Sequence, residues 1–80
     1  MNYYIIDGKK RVQKRCAKRL FNLGVPVFIC PVNFRPNNMF APATRMHPEE
    51  DFDTVVSYFE TYQCINSETG RRAAFYVEVE

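Results

Sequence analysis

Between Gly8 and Pro48 this chain has no acidic residue at all. Glycine occurs three times, histidine once, and no segment repeats or is of low complexity. A chain so poor in glycine, 46% hydrophobic and with seven Phe and five Tyr, has the composition of a folded domain, not a disordered one. Long apolar runs are missing too. Val25–Val32 carries two prolines and is far short of the roughly 20 residues that span a bilayer, so no membrane association is expected. NYYIIDGKK puts apolar residues before basic ones, the reverse of a secretory signal. The expectation is one cytoplasmic domain over residues 1–80, near the lower size limit for unaided folding.

Most catalytic chemistry is absent as well. His47 stands alone beside Pro48, and no nucleophile, base and orienting group form a set. There is no Gly-rich phosphate loop and no H-E-x-x-H. EEDFD, residues 49–53, lacks the EF-hand spacing, and acids there suit the positive end of a helix. Cys16, Cys30 and Cys64 are odd in number, widely spaced and without a C-x2-C pair. They are expected to be reduced thiols, with Cys16 and Cys64 buried. The chain therefore reads as a non-enzyme without catalytic residues, metal, cofactor or small-molecule substrate.

What is present is pattern. Asn2–Ile6 reads as a strand bounded by Asp7–Gly8, with Asp7 capping a helix that Gly24 ends. Val12, Cys16, Leu20 and Leu23 recur at helical spacing, and Ala17 and Phe21 widen the stripe. Val25–Phe34 reads as a strand placed by Pro26 and Pro31 at an edge or bulge. Arg35–Asn38 is turn chemistry, and Met39–Met46 returns as a strand weakened by Pro42. Pro48 suits the first turn of a second helix, which buries Phe52, Val55, Val56 and Phe59. Tyr62–Asn66 and Arg71–Val79 read as a C-terminal hairpin around a left-handed Gly70. In its last strand Ala73, Phe75 and Val77 share one face, Ala74 and Tyr76 the other. The order β-α-β-β-α-β implies an α+β domain, an antiparallel sheet covered by two helices in a ferredoxin-like or split-βαβ arrangement.

Charge is the distinctive feature. Residues 8–24 hold seven of the eleven Lys and Arg. Read as one helix, they set Lys10, Arg11, Lys14, Arg15, Lys18 and Arg19 opposite the apolar stripe. The i,i+4 pairs Lys10–Lys14, Lys14–Lys18, Arg11–Arg15 and Arg15–Arg19 then repel, costing on the order of 1–2 kcal/mol together. Basic residues at the helix's positive end add to that cost. Local stability does not account for such a helix, so an anionic partner is expected. Residues 49–80, with eight acids against Arg71 and Arg72, supply part of one.

Two partner classes follow. Clustered cations, extended by Arg35 and Arg45, suit nucleic-acid phosphates with weak sequence preference. The element order is also that of the RNA recognition motif. However, RRAAFYVEV lacks the glycine and most aromatics of that module's signature, so that family is not assigned. The alternative is a protein-interaction module, an inhibitor or accessory factor, that binds an acidic protein or its own copy as a homodimer. Met39 and Phe40, after a polar turn, are its candidate anchor.

Overall fold

A computed structural model describes residues 5–6 and 8–79, Ile5 and Ile6 by backbone alone. The elements are β1 (Ile5–Ile6), β2 (Lys9–Val12), α1 (Lys14–Asn22), β3 (Val27–Pro31), β4 (Thr44–Arg45), α2 (Phe52–Tyr62) and β5 (Ala73–Glu78). They build an α+β fold whose antiparallel sheet has the order β1-β2-β5-β3-β4. Both β2 and β3 are antiparallel to β5, so they run parallel to each other with β5 between them. Because α1 links β2 to β3, this is the split-βαβ alternative of the two arrangements expected.

The alternation expected in β5 holds. Ala73, Phe75 and Val77 join the core under the helices, while Ala74 and Tyr76 pack on the opposite face. Val27, Ile29 and Phe75 from the sheet meet Ala17 and Phe21 of α1 and Phe52 and Val56 of α2. A chain of rings ties the layers together, with centroids 5.7 Å apart for Phe21–Phe52 and 5.5 Å for Phe52–Phe75. Each such contact adds about 0.5–1.5 kcal/mol beyond area burial. The segment 32–43 covers the other face, packing Val32 and Ala43 against Cys30, Ala74 and Tyr76.

α2 forms as its sequence dictates, with Phe52 and Val56 buried and Val55 and Phe59 packed beside them. Its N-cap is Asp51, whose carboxylate accepts the Thr54 N–H and hydroxyl at 3.0 Å each. These bonds hold the Asp51 carboxyl below its ordinary range. Pro48 lies ahead of the helix, in a turn where the Glu50 N–H donates to the His47 carbonyl.

Four expectations are corrected. Lys9–Val12 is a strand, not the start of a helix, and Ile6 pairs with Lys9 across a two-residue connection. An Asp-Gly pair is the strongest short hairpin signal, and here it outweighs the helical reading. Asp7, the expected cap, lies outside the described residues, and the N-cap of α1 is Gln13. Second, β3 lies between β5 and β4 rather than at an edge, and Pro31 is simply its last residue. Third, the return over Met39–Met46 shrinks to Thr44–Arg45, and Met46 alone of its methionines enters the core.

Fourth, no C-terminal hairpin forms. α2 runs through Tyr62, and β2 and β3 occupy both sides of β5, leaving a hairpin partner no edge. The connection instead docks on the loop after β3, through Val32 N–H to the Arg72 carbonyl at 2.9 Å and Asn33 N–H to Thr69 at 3.2 Å. Gly70 is left-handed as expected, at φ +80°, and a side chain there would collide with Val32. Among the described residues no helix is long and apolar enough to cross a membrane.

Candidate nucleic-acid interface

α1 is short, and its buried side chains are Ala17 and Phe21, with Leu20 partly buried. Starting the helix at Lys14 removes Val12 from the stripe and rotates the buried face toward 17, 20 and 21. Cys16 and Leu23, read as buried, are therefore exposed, Leu23 at 72%. Gly24 ends the helix as expected. Its φ of +87° lets Gly24 N–H reach the Phe21 carbonyl and Val25 N–H reach the Leu20 carbonyl, a Schellman closure.

The outer face of α1 carries Lys14, Arg15, Lys18 and Arg19, all exposed. Only two repulsive i,i+4 pairs remain on it, Lys14–Lys18 and Arg15–Arg19, which halves the expected cost to roughly 0.4–1 kcal/mol. Lys18 is also neutralised within the chain. Its Nζ lies 2.6 Å from the Asp53 carboxylate of α2, and this bond raises its pKa above the ordinary lysine value. Lys14, Arg15 and Arg19 form no salt bridge among the described residues.

The other predicted cations lie elsewhere. Lys10 is half-buried on β2 opposite Val77, and Lys9 sits with Nζ 4.8 Å from the centre of the Phe28 ring. Arg11 is exposed on β2 opposite Tyr76. It lies in one cross-strand row with Tyr76, Phe28 and Arg45, but β4 is three strands from β2. At roughly 4.8 Å per strand, Arg45 is about 14 Å from the basic edge. Arg35 is exposed in the turn it was read into, its carbonyl accepting the Asn38 N–H at 3.0 Å. Neither lies on α1.

Two cations that pattern reading left in the acidic half belong with it. β2 ends at Val12 opposite Phe75, while β5 continues back through Ala74 and Ala73. A cleft of about 690 Å³ lies there, lined among others by Arg11, Gln13 and Lys14 from the first segment and Arg71 and Arg72 from the second. Nothing in RRAAFYVEV alone announces this, because the β2–β5 register brings the two segments together.

Met39 and Phe40 are each 90% exposed. The Asn38 side chain holds them there, its Oδ1 accepting the Phe40 and Ala41 N–H groups at 2.8 and 3.0 Å. Phe40 also borders a groove of about 640 Å³ between α2 and residues 40–47.

All three cysteines are free thiols. Cys64 is buried as expected, and burial raises its pKa; Cys30, also buried, is pushed up to about 11 by burial. Among the described residues no three of His, Cys, Asp and Glu gather where a metal ion would sit. No family model, curated protein or solved structure gives a match to this chain.

Proposed function

We propose that this chain is a small non-catalytic binding module that holds a polyanion, foremost nucleic acid, on the basic surface around α1. The observation that carries this is the group Lys14, Arg15 and Arg19, exposed on a short helix with no salt bridge to the described residues. Such clustering weakens the helix and meets no acidic partner among the described residues, whereas phosphates would offset it. Free thiols in all three cysteines suit a reducing compartment such as the cytoplasm.

The test is a titration of labelled duplex DNA and single-stranded RNA at low salt, repeated as salt rises. Engagement of roughly three to five phosphates on duplex gives log K against log salt a slope of about −3 to −4.5. No binding of either probe at low salt would discard the proposal.

A second reading rests on Met39 and Phe40, whose 90% exposure on a pinned turn suits an anchor for a protein partner or a second copy of the chain. It requires Phe40→Ser to remove association seen by light scattering or co-purification while leaving nucleic-acid affinity unchanged.

A further inference from the structure

Four cations from two distant segments face the cleft beside the start of β5: Arg11, Lys14, Arg71 and Arg72. All four are exposed, and none forms a salt bridge with a described residue. One carboxylate, Glu60 of α2, also lines the cleft, and it accepts the Ala73 N–H at 3.0 Å. That bond ties Glu60 to the backbone and leaves the cations in excess. Val12, Ala73, Ala74 and Phe75 complete the lining. The first turn of α1 borders the same cleft without an acid and without a side-chain cap from Gln13, so Glu60 is the one carboxylate among the lining residues.

Arginine forks suit this role, since a guanidinium donates two parallel hydrogen bonds to phosphate oxygens. We propose that this cleft is a phosphate-binding site, gripped chiefly by Arg71 and Arg72 against Arg11 and Lys14. The carrier of that phosphate, a nucleic-acid backbone or end, rests on the polyanion reading above; the site itself does not.

The experiment uses the whole chain and three probes: inorganic phosphate, an oligonucleotide with a 5′-phosphate, and the same oligonucleotide without it. Phosphate is expected to shift the backbone amide resonances of residues 11–14 and 71–74 more than those of residues 15–22. The double variant Arg71→Ala/Arg72→Ala should lose that response and about tenfold in oligonucleotide affinity, with an unchanged melting temperature. Arg15→Ala/Arg19→Ala, outside the cleft, should keep the phosphate response. Equal affinity for both oligonucleotides assigns the site to backbone phosphates, and preference for the phosphorylated one assigns it to a strand end. Phosphate shifts without oligonucleotide binding support the cleft and discard the nucleic-acid reading. Oligonucleotide binding that the double variant retains, or phosphate shifts absent from the cleft, would overturn the site.

Discussion

The two helices rest on the same sheet face, yet they are stabilised in opposite ways. α2 has Asp51 as its cap, Asp53 in its first turn and a stripe led by Phe52 and Val56. Nearly every local preference in it agrees with the fold. α1 has no side-chain cap, no acid in its first turn, and basic residues where the helix is already positive. It is held by Ala17, Phe21 and the closure at Gly24, that is, by tertiary contact and by its end. Where local rules are broken without benefit to the fold, function is the usual reason. The comparison therefore supports the proposal that α1 carries the binding surface, without any motif.

The largest effect should erase the difference between the helices. Phe52 touches the rings of both Phe21 and Phe75, so Phe52→Ala should cost about 3–5 kcal/mol. An 80-residue domain has roughly 4–12 kcal/mol in total, so little stability would remain. Urea unfolding followed by far-UV and near-UV circular dichroism should show both signals lost in one transition at lower urea. Separate transitions would mean that α1 and α2 are not one cooperative unit.

A smaller change should sharpen the contrast. Arg15→Glu turns the Arg15–Arg19 repulsion into attraction and places an acid near the positive end of α1. It is expected to stabilise the protein by about 1 kcal/mol, read from the urea midpoint, while weakening polyanion binding. A destabilised variant would show that Arg15 supports the fold.

The smallest effect concerns α2 and pH. The Asp51 pKa is lowered in the folded state, so its contribution is present above the ordinary value of 3.8 and fades as pH falls through the folded value. Asp51→Asn keeps a capping oxygen but no titrating charge. Melting temperatures at pH of about 7, 4 and 2.5 should fall less steeply on the acid side for this variant than for the parent. Parallel curves would remove Asp51 from the acid response.

The same contrast explains what was legible in the sequence. α2, the stop at Gly24, the left-handed Gly70 and the alternation in β5 each depend on residues close together in the chain, and each was read from them. β2 is hidden in the sequence because its Asp-Gly hairpin signal also reads as a helix cap and KKRV has little strand character of its own, while its pairing with β5 lies more than sixty residues away, Lys9 opposite Glu78 and Val12 opposite Phe75. That one error shifted the phase of α1, misplaced Cys16 and put Lys10 and Arg11 on a helix. It also hid Arg71 and Arg72, which join the basic cluster only through that register.

The place of β5 has a kinetic consequence. Of the described strands the last, β5, is a central one, and β2 and β3, made long before it, pair with it and not with each other. During synthesis, at about 5–20 residues per second, neither strand finds its main partner until Glu78 has been added. The sheet must then close in one late step dominated by contacts between distant residues, which slows folding. Premature termination a few residues before Ala73 would thus leave two separate strand pairs, β1 with β2 and β3 with β4, each with an open edge for chaperones and proteases to handle.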